Sequence, residues 1–248
     1  MFYWRSTVPA AAGDSRVDVA FTGRSAGLGD GPYAGLNLGG HVGDDPGDVE
    51  RNRALLANAV GVPRTRLVFM NQVHGTTVLP VSGPWSDRAP AADGIVTRTP
   101  ELALAVLVAD CVPVLLHDPH AGVVGAVHAG RPGMTNGIVA QAVARMRELG
   151  AERISATVGP SVCGRCYEVP EDMARGAASV APASAARSWT GTHAVDVAAG
   201  VVEQLRTADV AIDWVPGCTR EHPDLYSYRR DRTTGRFAGV VIIRKAAE

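Results

Sequence analysis

Three side chains have the chemistry to hold a catalytic metal ion: His74, Cys111 and His128. One thiolate and two imidazoles suit Zn²⁺, which binds Cys sulfur at about 2.3 Å and His nitrogen at about 2.0–2.1 Å. Three protein ligands leave a fourth position open, as in catalytic zinc sites, and an ion held in this way can polarise a substrate oxygen. Cu²⁺ is a second candidate occupant, because its intrinsic affinity for such ligands exceeds that of zinc.

Predicted strands explain how ligands so distant in sequence could meet. Three central segments are almost continuously apolar, which is typical of strands covered on both faces: 102–108, 112–117 and 123–128. Cys111 follows the first segment, His128 ends the third, and His74 lies between two shorter β-rich runs. Because α/β proteins place their sites where strand ends share a rim, we expect the three side chains to converge. Each residue alone is more commonly a buried structural group, so the hypothesis depends on all three.

The rest of the chain mixes strands and helices, which predicts an α/β fold with α+β as the alternative. Further strands are expected at residues 17–22, 66–70, 76–81, 94–97, 154–158, 211–215 and 238–243. Helices are expected over the segments 45–61, 135–150, 174–186 (at the surface, with a loop) and 194–207. Asp45 and Thr135 are the predicted starts of the first two helices, and Gly61 and Gly150 are their predicted ends.

Length and charge narrow the class of protein. The 248 residues fit a single domain over 1–248, with mixed β-sheets flanked by helices and a loosely ordered N-terminal arm at residues 1–15. A net charge of −1 gives no global positive field, so we expect neither nucleic acid nor membrane as a partner. The longest apolar run, residues 102–109, is far shorter than the roughly 20 residues that span a bilayer, and the N-terminus lacks a secretory pattern. We therefore expect a cytoplasmic protein with reduced cysteines.

Short motifs spread from Phe21 to the C-terminus carry a family resemblance. They are Leu36-Asn37-Leu38-Gly39, Asn52-Arg53, Asn71-Gln72-Val73-His74-Gly75, Ala92-Asp93-Gly94, Ala109-Asp110-Cys111-Val112-Pro113-Val114, Val127-His128-Ala129-Gly130, Gly159-Pro160, Cys166-Tyr167-Glu168-Val169 and Tyr226-Ser227-Tyr228-Arg229-Arg230-Asp231. In these motifs the chain resembles the YfiH-like family. Its members have carried the names laccase-domain protein and polyphenol oxidase, and they are described as purine nucleoside phosphorylases that also deaminate adenosine and cleave methylthioadenosine.

The resemblance implies a YfiH-like fold and zinc-dependent phosphorolysis of adenosine, inosine and methylthioadenosine, with adenosine deaminase activity. By resemblance, His74, Cys111 and His128 fall on the family's zinc-binding positions, the same three residues that ligand chemistry selects. A purine nucleoside and phosphate are the implied partners of a monomer or small homo-oligomer.

Other residues are candidates for substrate binding and proton transfer. Guanidinium groups bind phosphate in a bidentate fashion, and the candidate substrate and phosphate ligands are Arg24, Asn37, Arg53 and Arg229. The candidate catalytic residues are Cys111, His74, His128 and Asp110. Asp93 and Asp110 could carry protons or orient a ligand histidine, and we favour the orienting role for Asp110. Tyrosines in or near the motifs could stack on a purine: Tyr33, Tyr167, Tyr226 and Tyr228.

One segment departs from the family pattern. The family usually has His-Ala-Gly-Trp-Arg-Gly, whereas this chain has His128-Ala129-Gly130-Arg131-Pro132-Gly133. The tryptophan is missing, the arginine lies one place earlier, and Pro132 fixes the backbone where the arginine would stand. We expect this departure to alter substrate affinity and to leave the metal site intact. The N-terminus of the helix predicted to begin at Thr135 is an alternative phosphate site.

The sequence also allows functions other than phosphorolysis. A multicopper oxidase needs far more imidazoles than three, and the seven histidines include no His-x-His pair, so laccase activity is disfavoured. A cysteine hydrolase or amidase with Cys111 as nucleophile and His128 as its base also fits the residues. A non-enzymatic metal-binding protein is the least favoured option, because an open coordination position would serve no purpose in it.

The remaining cysteines have no assigned function. Cys163 and Cys166 have the C-x-x-C spacing of a zinc knuckle or a redox pair, but no second C-x-x-C accompanies them and Cys218 stands alone. We interpret them as an inert or occasionally oxidised pair.

Overall fold

Strands and helices alternate along residues 1–9 and 16–244, the part of the chain that the computed structural model describes. The strands are β1 (Phe2–Pro9), β2 (Arg16–Thr22), β3 (Leu67–Phe69), β4 (Val78–Pro80), β5 (Gly94–Thr97), β6 (Ala103–Val108), β7 (Val112–Asp118), β8 (Val123–Ala129), β9 (Ser155–Val158), β10 (Ala185–Arg187), β11 (His193–Val195), β12 (Ala211–Trp214) and β13 (Phe237–Arg244). The helices are α1 (Pro46–Ala59), α2 (Arg131–Asn136), α3 (Ile138–Glu148), α4 (Glu171–Val180), α5 (Val197–Thr207) and α6 (Tyr228–Asp231).

The strands form two large mixed sheets and one small hairpin. The first sheet has the order β1-β2-β13-β6-β3, the second has the order β12-β9-β7-β8-β5-β4, and β10 pairs with β11. Within each large sheet most neighbours are antiparallel, and the parallel pairs are β3 with β6, β4 with β5, and β9 with β12. The expected α/β class with mixed sheets and flanking helices is therefore confirmed.

The core has three layers of apolar side chains. In β6, Leu104 and Val106 lie between the two sheets, whereas Ala103 and Ala105 face the opposite side and pack with Leu56 of α1. A third cluster packs the outer face of the second sheet against α3, α4 and α5. The chain crosses from the first sheet to the second between β6 and β7, so Cys111 lies at the junction of the two sheets.

The expected N-terminal arm is wrong for residues 2–9. They form β1, which pairs with β2 along its length from Phe2 opposite Thr22 to Pro9 opposite Arg16. Three partly buried side chains of this strand, Tyr3, Trp4 and Val8, pack against the core between the sheets. Residues 10–15 lie outside the described part of the chain.

The helix expected from Thr135 to Gly150 is two helices. The first begins after Gly130, and the two are divided at Gly137, whose φ of 93° is left-handed. Thr135 lies inside α2, where its hydroxyl donates to the carbonyl oxygens of Arg131 and Pro132. The proposed anion site at a helix start formed by Thr135 is therefore wrong.

Two further segments differ in detail from the sequence interpretation. Residues 193–195 form β11, and α5 begins only at Val197 with the Asp196 carboxylate as its N-cap. Residues 174–186 combine part of α4, a 3-10 turn and β10, and Ala177 is buried against the helical core. Among the described residues, no helix has both the length and the apolar character needed to cross a membrane.

Candidate metal centre and substrate cavity

Two connections and one strand end bring the predicted metal ligands together. His74 lies in the loop between β3 and β4, Cys111 in the crossing between the sheets, and His128 near the end of β8. One ligand atom from each residue lies within 4.8 Å of the others, and Sγ of Cys111 is 3.8 Å from Nε2 of His74. Tetrahedral zinc with ordinary bond lengths separates its ligands by about 3.3–3.8 Å. The donor set and its spacing therefore fit a zinc ion.

The backbone beside these ligands adopts unusual conformations. His74 has a φ of 59° and Asp110, which precedes Cys111, has a φ of 92°. Positive φ costs free energy for residues other than glycine and persists where surrounding contacts enforce it, often at functional sites. Gly130 adds a steric requirement, because a Cβ there would lie 2.9 Å from Cδ2 of His74 and 3.1 Å from Sγ of Cys111.

Asp93 organises two of the three ligands. Its buried carboxylate accepts hydrogen bonds from the backbone N–H groups of Val73, His74 and Gly75. It also lies 2.8 Å from Nδ1 of His128. Burial opposes ionisation of Asp93, but the hydrogen bonds from His128 and Gly75 hold its pKa below the usual range. An anionic partner at Nδ1 leaves Nε2 of His128 available as the metal ligand.

Without a metal, Cys111 and His128 form a charged pair. Burial opposes ionisation of the Cys111 thiol, but the positive charge of His128 and hydrogen bonds from both histidines lower its pKa to about 6. Burial likewise disfavours the charged form of His128, but the Cys111 thiolate and the Asp93 hydrogen bond raise its pKa to about 9. A metal must displace the His128 proton, so its binding strengthens as the pH rises.

A cavity of about 420 Å³ opens beside the three ligands. Its volume lies within the range of about 300–1,000 Å³ that is usual for small-molecule sites. Apolar lining comes from Leu107, Val108, Ala109, Val162 and Val197. Cationic lining comes from Arg131, Arg229, Arg232 and Arg236. Among the described residues, the buried Nε of Arg131 has no hydrogen-bond partner. The cavity thus combines a metal-competent wall, an apolar wall and a group of guanidinium side chains.

Two of the other predicted site residues lie at this cavity, and one has an unexpected role. Arg229 lies with its guanidinium 4.0 Å from the centre of the Tyr167 ring. Asp110 also lines the cavity, but its carboxylate accepts hydrogen bonds from Thr219, Ser227 and the backbone N–H of Arg229. The orienting role that we favoured for Asp110 belongs to Asp93. Asp110 instead fixes the segment that carries Arg229.

The remaining predicted substrate residues do not line the cavity. Arg24 donates to the carbonyl oxygen of Ala34, and Arg53 donates to that of Leu38. Asn37 is fully buried, and its side-chain oxygen accepts the backbone N–H of Arg236 at 2.8 Å. Asn37 therefore positions a cavity arginine. Tyr167 and Tyr228 line the cavity, as the stacking hypothesis requires.

Sequence reasoning missed part of the cationic lining and one histidine. Arg232 and Arg236 follow the recognised Tyr226 to Asp231 motif but were not selected, and His41 lies in the loop that precedes α1. Burial lowers the pKa of His41, and the nearby charges of Arg236 and Arg53 lower it further. The adjacent motif was the only sequence signal for Arg232 and Arg236, since arginine is common at protein surfaces.

Comparisons with known proteins identify the family. A family model described as multi-copper polyphenol oxidoreductase laccase matches residues 18–244. The chain is 56% identical over 227 residues to a Streptomyces coelicolor protein named purine nucleoside phosphorylase. This match covers 89% of this chain and 93% of the relative. It is 37% identical over 216 residues to purine nucleoside phosphorylase YfiH of Shigella flexneri, covering 85% of this chain and 87% of the relative.

Solved structures share the fold. A Neisseria meningitidis protein matches with a TM-score of 0.79 and 31% identity over 97% of this chain and 99% of its own. The protein YfiH of Bacillus licheniformis matches with a TM-score of 0.83 and 26% identity over 95% and 98% of the two chains. The motifs, the fold and these similarities agree: the chain belongs to the YfiH-like family, whose family model is described as multi-copper polyphenol oxidoreductase laccase and whose relatives are named purine nucleoside phosphorylases.

Proposed function

We propose that the protein is a zinc-dependent purine nucleoside phosphorylase that acts on adenosine, inosine and methylthioadenosine and also deaminates adenosine. The observation that carries the proposal is the cavity where His74, Cys111 and His128 adjoin four arginine side chains. Phosphorolysis needs an anion site beside the nucleoside, and guanidinium groups suit phosphate. We assign the activity to the cytoplasm, where the four free cysteines stay reduced.

In this proposal different residues bind the phosphate, bind the base and orient the His128 ring. Arg131, with its unpartnered Nε, and Arg229 hold the phosphate, whose oxygen attacks C1′ of the ribose as the bond to the purine nitrogen breaks. The apolar wall receives the base, and Asp93 keeps the His128 ring in one orientation. Bound zinc would act as a Lewis acid and would lower the pKa of a coordinated water. Cu²⁺ is the alternative metal for the same donors.

Our proposal differs from the activity named in the description of the family model, which is that of a laccase. Of the seven histidines, all within the described residues, three line the cavity: His41, His74 and His128. A mononuclear copper and a trinuclear cluster together need many more imidazoles. Oxidation of phenols is therefore not the activity we propose.

The test is phosphate dependence. Purified protein is incubated with inosine or adenosine, with and without inorganic phosphate, and ribose 1-phosphate is followed by phosphorus NMR. We expect ribose 1-phosphate and free base only when phosphate is present, and background levels for Cys111→Ala. Inosine formed from adenosine without phosphate would report the deaminase activity. Base release that ignores phosphate would contradict the proposal.

A cysteine hydrolase or amidase is the second candidate, and one observation favours it. Cys111, His128 and Asp93 form a nucleophile, base and orienting acid in series, and the charged pair lowers the pKa of the thiol to about 6. Such an enzyme would form a covalent intermediate on Cys111. Mass spectrometry of protein quenched during turnover of amide or ester substrates separates the two candidates, since a phosphorylase forms no acyl-cysteine.

A further inference from the structure

A second group of potential metal ligands lies outside the cavity. It consists of Cys163, Cys166, Cys218 and Glu221, and one ligand atom from each lies within 4.8 Å of all the others. Sγ of Cys166 is 3.3 Å from Oε1 of Glu221, and Sγ of Cys218 accepts the backbone N–H of Cys163 at 3.5 Å. We call these four residues the Cys₃Glu cluster. The phosphorylase proposal uses none of them.

The cluster is built from two similar turns. Cys163-Gly164-Arg165-Cys166 closes with a hydrogen bond from the N–H of Cys166 to the carbonyl oxygen of Cys163 at 2.9 Å. Cys218-Thr219-Arg220-Glu221 closes in the same way, from Glu221 to Cys218 at 3.2 Å. Each turn places its first and fourth side chains together, which is the C-x-x-C arrangement of structural zinc sites, with a carboxylate in place of the fourth cysteine. The second turn could not be recognised from the sequence as a partner of the first, because it ends in glutamate and so lacks the C-x-x-C pattern.

The two turns are held side by side by the backbone. Ser161 and Cys218 form a parallel bridge, in which the N–H of Ser161 donates to Gly217 and the N–H of Thr219 donates to Ser161. Both segments are therefore fixed independently of any ion, and the four ligand atoms are brought together before a metal binds. A preorganised donor set needs only small side-chain shifts to close around an ion.

We propose that the Cys₃Glu cluster binds a structural zinc ion. Three thiolates and a carboxylate complete a tetrahedral shell of the soft and hard donors that zinc accepts, and four protein ligands close the site to substrate. Trp189 supports the carboxylate, since its indole N–H donates to Oε1 of Glu221 at 3.2 Å. Arg165 and Arg220 occupy the third position of the two turns, and the Arg220 guanidinium contacts the carbonyl oxygen of Cys166.

The location gives this ion a role in shaping the cavity. Thr219, in the second turn, donates to the Asp110 carboxylate at 2.6 Å, and Asp110 in turn fixes the backbone of Arg229. Tyr167 follows Cys166 directly and stacks against the Arg229 guanidinium. A metal that clamps both turns therefore holds two contacts to the same cavity arginine.

Elemental analysis of the full-length chain, loaded with zinc and then desalted, tests the proposal. We expect two zinc ions per wild-type chain, one in Cys111→Ala and one in Cys218→Ala. In cobalt-loaded Cys111→Ala, absorption from thiolate-to-metal charge transfer should persist, because its three remaining cysteines all lie in the cluster. If the cavity binds no metal, wild type and Cys111→Ala will both hold one ion, so failure of the phosphorylase proposal is distinguishable.

A milder variant covers the case in which Cys218→Ala does not fold. Glu221→Gln keeps an oxygen for the Trp189 N–H, and we expect at least about 10-fold weaker zinc binding at the cluster, since loss of a direct ligand should cost no less than loss of a residue that orients one. Glu168→Gln is the matched control, because Glu168 lies on the same surface and accepts from Thr190. The proposal would be overturned if Cys111→Ala bound no zinc and its cobalt-loaded form showed no charge-transfer band. A non-reduced mass lower by two hydrogens, the signature of a disulfide, would also overturn it.

Discussion

The Asp93 carboxylate lies 2.8 Å from Nδ1 of His128, and the same carboxylate accepts the backbone N–H of His74. One buried acid thus fixes the ring of one metal ligand and the main chain of another. Outer partners of this kind set the orientation and basicity of ligands, and their loss commonly weakens metal binding by about 10–100-fold.

Asp93→Asn should therefore weaken zinc binding by about 10–100-fold, measured by competition with a chromogenic chelator. It should also lower the free energy of unfolding by about 2 kcal/mol or more, because buried donors lose a charged acceptor. Asp118→Asn is the matched control. Asp118 is also buried and accepts four backbone N–H groups, from His120, Ala121, Glu152 and Arg153. It should destabilise the fold without changing zinc affinity, and equal zinc loss in both variants would contradict the role of Asp93.

The thiol of Cys111 should be unusually reactive in metal-free protein. Its pKa of about 6 means that the alkylation rate should rise with pH around a midpoint near 6 and level off above it, since the thiolate is the nucleophile. His128→Ala should move that midpoint upward, because burial then acts without the opposing positive charge. Peptide mapping after iodoacetamide treatment follows each cysteine separately. Cys163, whose pKa burial raises, should react only at higher pH.

Arg131 should contribute to phosphate affinity. It lines the cavity and its Nε has no partner among the described residues, so Arg131→Ala should raise the KM for phosphate by about 10–100-fold, the equivalent of a hydrogen bond to a charged group. Arg24→Ala is the comparison, because Arg24 contacts Ala34 and the Tyr226 ring instead of the cavity. Its KM for phosphate should stay unchanged. The opposite ranking would show that the anion lies elsewhere.

Gly130 should be required for ligand convergence. Its φ of −74° permits alanine, but the added Cβ would collide with His74 and Cys111. Gly130→Ala should therefore weaken zinc binding while the fold persists, as followed by elemental analysis and circular dichroism. Gly176→Ala provides the control, since a Cβ there meets nothing within 4 Å on helix α4. That variant should be more stable by about 0.5–1 kcal/mol, with unchanged metal content.

Continuous apolar runs and residue chemistry predicted the centre of the molecule. The strands that carry Cys111 and His128 were identified because residues buried on both faces leave an unambiguous apolar signal. Strand β1 escaped prediction because its side chains are only partly buried. The division at Gly137 escaped because Met134 before it and Ile138 after it pack in the same apolar cluster. The left-handed backbone of Gly137, which separates the two helices, could be identified only from the structure.

Side-chain partners were harder to predict than elements. Arg24 and Arg53 have the right chemistry for phosphate, but in the fold they bind main-chain carbonyl groups, which no sequence pattern reports. The sequence favoured Asp110 over Asp93 as the orienting acid, because Asp110 directly precedes the predicted ligand Cys111. Only the three-dimensional contacts show that Asp93 faces the ligand histidine and Asp110 faces Thr219 and Ser227.

We propose that the metal held by His74, Cys111 and His128 supports phosphorolysis in the adjoining cavity. The most direct measurement is the phosphate-dependent rate of base release from inosine as zinc is returned to metal-stripped protein, in parallel for wild type and Cys111→Ala. The zinc bound at the cavity is the difference between the zinc contents of wild type and Cys111→Ala. We predict that the wild-type rate rises in proportion to this difference and that the variant stays at background throughout. Full phosphorolytic activity in the metal-stripped wild type, or equal activity in Cys111→Ala, would contradict a catalytic role for this metal.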